Sequence, residues 1–214
     1  MLKELGRREG TLSISTLKGC FNQKHYTAFI LGSGESLPSA IRKIKKVPVD
    51  KSFLISVNQR PLKLIKKVDV IVSGDVYESQ LIWERFKTHK NLSEYSKKKN
   101  PILISTWDRY SDFILEDFVW WGGYSSMTAC YLACYMGFMK VVLMGMDCYQ
   151  GKTDYFDGLN NRNGVIKMPL ENHLEMWEKA FQYCPDAKVK IRAINNPLIE
   201  LFGEWNTKNR GQRR

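Results

Sequence analysis

The sequence predicts an α/β fold: a single Rossmann-like domain with a mostly parallel central sheet flanked by helices. Nearly continuous apolar runs of four to six residues recur along the chain, as in strands buried on both faces. Helical patterns separate these runs, which favours parallel strands joined by helices. With 214 residues, 43% of them hydrophobic, the chain can bury one sizeable core.

Each predicted element follows from its own pattern. Apolar runs predict strands at 27–31, 52–57, 68–73, 102–105, 141–144 and 189–193. Helical spacing of apolar residues predicts helices at 37–44, 81–86, 127–135, 174–181 and 198–202, the third ending at Gly137. Residues 1–26 are interpreted as an N-terminal extension, 27–205 as the folded domain and 206–214 as a basic flexible tail.

Composition narrows the class of protein. The formal net charge of +11 suits anionic partners such as nucleic acid, nucleotides or acidic glycans. The five cysteines are odd in number and form no CxxC pair, which indicates neither a disulfide framework nor a zinc site. No run of about 18 apolar residues predicts a membrane span, and the N-terminus lacks the apolar region of a signal peptide. A cytoplasmic location is therefore expected.

Ligands of open α/β sheets bind beyond the carboxyl ends of the strands, so the loops that follow strands are candidate sites. The first loop contains Gly32, Ser33 and Gly34 and leads into a helix. Its glycines would let the backbone approach a ligand, and the helix N-terminus would offer N–H groups to a phosphate. The motif is neither a full GxGxxG nor a P-loop. A plain strand–helix turn capped by Ser36 is the alternative.

Further polar residues follow the next predicted strands. Asn58 can donate and accept hydrogen bonds, which suits a nucleobase or ribose, but asparagine is also a common turn residue. Asp75 could bind a sugar hydroxyl or cap the helix that follows. Ser125 and Ser126 open the third helix, where they could contact an anion or act only as caps.

The loop after the strand at 141–144 carries Asp147, Tyr149 and Tyr155. A loop that only reverses the chain has no need of two large phenols. The tyrosines therefore either cover an apolar edge or face a ligand.

These motifs resemble the family-42 bacterial sialyltransferases. In that family a strand ending in Gly-Ile-Asp-Phe-Tyr-Gln leads to a second tyrosine at the spacing found here between Tyr149 and Tyr155. The segment TACYLACYMGFMKVVLMGMD looks like the family's helix–glycine–strand unit, GSGESL resembles its Gly-Asn-Gly-Pro-Ser-Leu, and VNQ its Cys-Asn-Gln. The ordered match spans residues 27–157 and continues more weakly to 203. A wider group shares this skeleton, including archaeal hydroxymethylpterin pyrophosphokinases and flagellin-modifying glycosyltransferases.

The resemblance implies a nucleotide-sugar-binding catalytic domain that uses a cytidine monophosphate sugar and requires no metal or other cofactor. It assigns the two tyrosines to the leaving phosphate, and a general base to a histidine that follows their loop. His173 is the candidate base, because His25 lies in the extension and His89 in a polar segment. The residues implied to contact the donor are Gly32, Ser33, Gly34, Asn58 and Ser125. Asp75, Ser126 and Asp147 are further candidates for binding the donor.

The sequence also departs from the family pattern. Ser33 replaces the family's asparagine, Glu35 replaces its proline, and no arginine precedes Ser125. A sialic acid carboxylate would need a cation, so the sugar is left open.

Three functions are compatible with these residues. The leading one is a metal-independent glycosyltransferase acting on a hydroxyl acceptor such as a glycan, a protein or DNA with a hydroxylated base. The first alternative is a pterin-type pyrophosphokinase using ATP, with magnesium held by Asp75 or Asp147. The second is a basic nucleic-acid-binding module that stacks bases on Trp120, Trp121 and Tyr124.

Overall fold

The structure is a computed structural model, and it describes residues 12–20, 26–45, 47, 51–65, 67–87, 101–106, 108–115, 124–159, 168–182 and 191–206. Within these residues, eight parallel strands form one sheet. In chain order they are β1 (Leu12–Ser13), β2 (Thr27–Leu31), β3 (Ser52–Val57), β4 (Val70–Ser73), β5 (Ile102–Ser105), β6 (Phe113–Ile114), β7 (Val141–Met144) and β8 (Ile191–Ala193). Their spatial order is β1-β6-β5-β4-β3-β2-β7-β8. The predicted α/β class is confirmed.

Helices cover both faces of the sheet. They are α1 (Leu37–Ile44), α2 (Val76–Lys87), α3 (Ser125–Tyr135), α4 (Leu170–Gln182) and α5 (Ile199–Phe202). Short 3₁₀ turns occupy Ile14–Leu17, Arg60–Lys63 and Asp108–Tyr110. The described helices include none with the length and apolar character needed to cross a bilayer.

The two faces of the sheet explain why the strands read as continuous apolar runs. Along β2, Ala28 and Ile30 join the core beneath α3 and α4, whereas Phe29 and Leu31 join the core beneath α1 and α2. All four side chains are fully buried. Successive strand residues point to opposite faces, so every position needs an apolar residue when both faces are covered.

Helix α3 is the central helix on its face. It packs across β2, β3, β4 and β7, and its Ala129, Cys130 and Ala133 are fully buried. Small side chains at these positions let the helix backbone lie close to the sheet. As predicted, the helix ends before Gly137, which has φ 95° and is followed by a hydrogen bond from the Phe138 N–H to the Ala133 carbonyl oxygen (3.2 Å).

The strand order reverses direction at β2. The chain leaves β2 towards β3, β4, β5 and β6, whereas β7 and β8 are added on its other side. The loops after β2 and β7 lead to helices on opposite faces of the sheet, and such sheets bind ligands at adjacent strand ends of this kind. The loops predicted to be functional, at 32–36 and 145–157, meet at these strand ends.

Some boundaries differ from those predicted. Strands β2, β3, β5 and β7 have the predicted bounds, but β4 begins at Val70 rather than at residue 68. The two-residue strands β1 and β6 were not predicted, because two residues carry no periodicity. Part of the interpreted extension lies on the fold: β1 pairs with β6, and Leu17 is fully buried. The division of the chain at residue 27 stays a prediction. Residues 189–190 of the last predicted strand and 207–214 of the predicted tail lie outside the described residues.

Candidate active site

The loops after β2 and β7 pack directly against each other. The Gly34 N–H donates to the Gly145 carbonyl oxygen (2.8 Å), and the Phe156 N–H donates to the Ser33 carbonyl oxygen (3.0 Å). A Cβ added at Gly34 would lie 2.7 Å from the Asp147 Cγ. Gly34 is therefore required for contact between the two loops, in addition to any contact with a ligand. Donor binding by Gly32, Ser33 and Gly34 stays a prediction.

Asp147 caps helix α1 from the other loop. Its Oδ2 accepts a hydrogen bond from the Ser36 N–H (2.6 Å), and its Oδ1 accepts one from the Ser36 hydroxyl. Burial raises the pKa of Asp147, whereas the hydrogen bonds from Ser36 oppose this rise. A carboxylate at a helix N-terminus is stabilised by the unpaired N–H groups there. The structure thus gives Asp147 a structural role, and its contact with a nucleotide stays a prediction.

The turn after Asp147 has an unusual backbone. Cys148 and Tyr149 both have positive φ, 50° and 58°, and the Gln150 N–H donates to the Asp147 carbonyl oxygen (2.9 Å). Two successive left-handed residues closed by this bond have type I′ geometry, which usually contains Asn or Gly. Each costs about 1–2 kcal/mol for an ordinary side chain. Strain of this kind commonly occurs at functional sites.

The three residues predicted to be catalytic lie in one aromatic cluster. The Tyr149 ring lies 5.8 Å from the His173 ring and 6.4 Å from the Tyr155 ring, centroid to centroid. Tyr124 packs on His173 at 5.7 Å, and its hydroxyl lies 3.2 Å from the His173 Nδ1. His173 is only 3% exposed, and its Nε2 is buried with no hydrogen-bond partner among the described residues. Sequence spacing alone could not place Tyr124 against His173.

Burial sets the protonation states of this cluster. It lowers the pKa of His173, which favours the neutral imidazole at neutral pH. Burial raises the pKa of Tyr149, and the neighbouring Tyr155 and Tyr124 side chains raise it further. Burial also raises the pKa of Tyr155, although the Arg60 charge opposes this rise. Both phenols therefore keep their protons at neutral pH and can donate hydrogen bonds.

Arg60 is a site residue that the sequence did not single out. Its guanidinium carbon lies 3.9 Å from the centroid of the Tyr155 ring. Its Nη1 donates to both carboxylate oxygens of Asp157 (2.9 Å each), and the Lys63 Nζ also bonds to Asp157 (2.7 Å). These contacts attach the loop at 145–157, here called the tyrosine loop, to the 3₁₀ turn after β3. The available signal was a cation two residues after Asn58.

The remaining candidates lie at the ends of β3 and β4 and at the start of α3. Asn58 has φ 58°, and its Oδ1 is buried without a hydrogen-bond partner among the described residues. The Asp75 Oδ1 accepts from the Glu78 N–H (3.0 Å), so Asp75 caps α2, as one of its two interpretations held. The Ser125 Oγ accepts from the Gly74 N–H (3.1 Å), and Ser126 is half-buried beside it. Their donor contacts stay predictions.

A cavity of about 540 Å³ adjoins the tyrosine loop, at the carboxyl ends of β2, β7 and β8. Its walls include Glu35, Asp147, Gln150 and Asn195. This volume is within the roughly 300–1,000 Å³ range of small-ligand sites. Asn195 lines the cavity, and its Oδ1 is buried without a hydrogen-bond partner among the described residues.

Comparison with known proteins shows what the fold resembles. No protein-family model matches the chain, and no curated protein is significantly similar to it in sequence. Among solved structures, the sialyltransferase CstII from Campylobacter jejuni, in complex with cytidine-5′-monophosphate, is 17% identical. The match covers 85% of this chain and 86% of that chain, with a TM-score of 0.55. The monofunctional α-2,3-sialyltransferase Cst-I from Campylobacter jejuni is 16% identical, with 89% and 84% covered and a TM-score of 0.57.

At this level of identity the likeness establishes the fold. The resemblance to bacterial sialyltransferases is thereby confirmed for the architecture: a parallel sheet with helices on both faces.

Of the other residues considered from the sequence, His25, His89, Trp120 and Trp121 lie outside the described residues.

Proposed function

We propose that the protein is a metal-independent glycosyltransferase that moves a sugar from a cytidine monophosphate donor to a hydroxyl acceptor. The observation that carries this proposal is the assembly of Tyr149, Tyr155 and His173 at the switch point of a sialyltransferase-like sheet. The cytidine monophosphate bound by CstII supports the choice of nucleotide. The adjoining cavity is within the size range of small-ligand sites, and Gln150 and Gly151 of the same loop line it.

The reaction requires hydrogen-bond donors at the leaving phosphate and a base at the acceptor oxygen. As the bond between the anomeric carbon and the phosphate oxygen breaks, Tyr149 and Tyr155 donate hydrogen bonds to the departing phosphate. The acceptor oxygen forms the new bond to the anomeric carbon and gives its proton to the His173 Nε2. The products are the glycosylated acceptor, cytidine monophosphate and a protonated His173, which then releases its proton to solvent.

The protonation states of the cluster fit these roles. A base must be unprotonated before the reaction, and burial lowers the pKa of His173. Donors to a phosphate must hold their protons, and burial raises the pKa of both Tyr149 and Tyr155. Neutral phenols can therefore stabilise the developing charge without a divalent cation.

The two alternative functions fit the structure less well. A pyrophosphokinase would bind magnesium through Asp75 or Asp147, yet each of these carboxylates caps a helix. In a nucleic-acid-binding module Tyr124 would present its ring to a base, yet that ring packs on His173.

A thermal-shift panel of CMP, CDP, UDP, GDP and ATP, with and without magnesium, tests the proposal. A ligand that binds only the native state raises the melting temperature, so CMP should do so without magnesium. A shift caused only by ATP with magnesium would instead favour the pyrophosphokinase. Transfer from a CMP-sugar should survive EDTA, and its complete loss would contradict a metal-independent mechanism.

A further inference from the structure

The hydrogen-bond partner of His173 is a phenol. Among the described residues, the Tyr124 hydroxyl is the group within hydrogen-bond distance of the His173 Nδ1, at 3.2 Å. The other ring nitrogen, Nε2, is buried and has no partner there. Tyr124 comes directly before α3, and Ser125 ties that helix start to the Gly74 N–H, so the backbone that carries Tyr124 is anchored.

The tautomer of His173 decides what this histidine can do. If Nε2 carries the proton, Nδ1 accepts from the Tyr124 hydroxyl and no free nitrogen is left to receive a proton. If Nδ1 carries the proton, it donates to the Tyr124 oxygen, and the lone pair of Nε2 is free to accept a proton. In a neutral imidazole, the hydrogen bond at one nitrogen thus controls the other.

We propose that Tyr124 is a positioning residue that holds the His173 proton on Nδ1 and so makes Nε2 the reactive nitrogen. This inference rests on the proposed function, because only a base at Nε2 requires this tautomer. When Nε2 takes the acceptor's proton, the Nδ1–H of the imidazolium donates a stronger, charge-assisted hydrogen bond to Tyr124.

A phenol suits this role better than a carboxylate would. An anionic partner would stabilise the imidazolium before the reaction and raise the pKa of the base. Tyr124 orients the ring without adding a charge. The titratable side chains that contact His173 within the described part of the chain are Tyr124 and Tyr149, and Cys148 lies next to Tyr124. Burial raises the pKa of both tyrosines and of Cys148, so these groups are uncharged at neutral pH.

Nitrogen-15 NMR of histidine-labelled protein measures the tautomer directly and needs no substrate. The chain has three histidines, and the variant H173Q identifies the His173 signals. At a pH where His173 is neutral, the wild type should show the proton on Nδ1. In Tyr124→Phe that population should fall, because no oxygen holds the proton there.

Tyr149→Phe is a matched control. The Tyr149 ring lies at nearly the same distance from His173 as the Tyr124 ring, 5.8 and 5.7 Å, with interplanar angles of 45° and 48°. Both substitutions remove the hydroxyl of a ring that packs on the imidazole, but of the two hydroxyls only that of Tyr124 bonds to it. The tautomer should therefore be unchanged in Tyr149→Phe. A wild-type spectrum with the proton on Nε2 would overturn the proposal even if Tyr124→Phe failed to fold.

Kinetics give a second readout. Tyr124→Phe should lower kcat about tenfold, the scale of one neutral hydrogen bond, with little change in the donor KM. Loss of an acceptor for the imidazolium should also move the acidic limb of kcat to lower pH. A fall in kcat with an unmoved limb and an unchanged tautomer would indicate a purely structural role. If the tautomer behaves as expected but no nucleotide sugar is consumed, the proposed function fails and the assignment of Tyr124 stands.

Discussion

The neutral phenols of Tyr149 and Tyr155 differ in their surroundings. Tyr149 lies within the aromatic cluster, where burial and two other tyrosines raise its pKa. Tyr155 is half-buried under the Arg60 guanidinium, which opposes the rise in its pKa. A phenol of lower pKa is the stronger hydrogen-bond donor, so Tyr155 is expected to contribute more to stabilising the departing phosphate.

Replacement of Tyr155 by Phe tests this difference. Turnover should fall about 100-fold, the scale of losing one hydrogen-bond donor to developing charge, with a small change in donor affinity. Steady-state kinetics with a CMP-sugar give kcat and KM separately. Tyr77→Phe is the control, because Tyr77 is 69% exposed and should tolerate the change. Equal turnover in Tyr155→Phe and wild type would remove the hydroxyl from the mechanism.

The lowered pKa of His173 also predicts how stability depends on pH. The unfolded chain binds this proton near pH 6.5, whereas the folded chain binds it only at lower pH because the ring is buried. The neutral ring therefore makes its full contribution to the unfolding free energy above pH 6.5. This contribution is lost as the pH falls from 6.5 to the pKa of the folded state. Urea unfolding at pH 7.5 and at pH 5 should show that the unfolding free energy falls more between these pH values for wild type than for His173→Gln. Equal losses would show that the buried ring does not titrate as inferred.

At the scale of elements, the tyrosine loop is held at both ends by contacts with distant segments. Asp147 bonds to Ser36 at one end, and Asp157 bonds to Arg60 and Lys63 at the other. Between them, the Lys152 N–H donates to the Glu35 carboxylate (2.8 Å). The strained turn at Cys148 and Tyr149 persists because its neighbours are fixed in this way.

The ion pairs of Asp157 offer a matched test of this loop. Arg60→Gln and Lys63→Gln each remove one cation from Asp157, and each should cost at most about 1 kcal/mol in unfolding free energy. Only Arg60 also lies over the Tyr155 ring, so only Arg60→Gln should raise the pKa of Tyr155 and weaken it as a donor. The kcat of Arg60→Gln should therefore be several-fold lower than the kcat of Lys63→Gln. Equal kcat values in the two variants would mean that the guanidinium does not act through Tyr155.

The separation of contacting residues along the chain explains which features the sequence could predict. The bounds of β2 and β7 follow from local apolar runs that end at glycine, so they were predicted correctly. The cap between Asp147 and Ser36 joins residues 111 positions apart, and no local pattern records it. The same holds for Arg60 over Tyr155 and for Tyr124 against His173. The sequence therefore identified the chemical groups at strand ends, whereas their partners required the fold.

At the scale of the whole molecule, the strand order concentrates these groups at one edge. All described strands are parallel, so the loops after β2, β3, β4 and β7 all emerge at the carboxyl ends of the strands. The turn at 137–140, which precedes β7, lies at the amino ends of the strands. A single ligand can therefore contact residues that are more than 100 positions apart in sequence.

Hydrogen–deuterium exchange with and without CMP should show that CMP binds at the carboxyl ends of the strands. Bound CMP should slow exchange in the loops at 32–36 and 145–157 and at the start of α3, because their N–H groups become covered or less able to open locally. At 100 times the dissociation constant, binding should also stabilise the whole domain by about 2.7 kcal/mol, which slows exchange through global unfolding everywhere. Peptides covering 137–140 should show only this global component. Selective protection of 137–140, with none in the loops, would place the nucleotide at the wrong edge of the sheet and contradict the site.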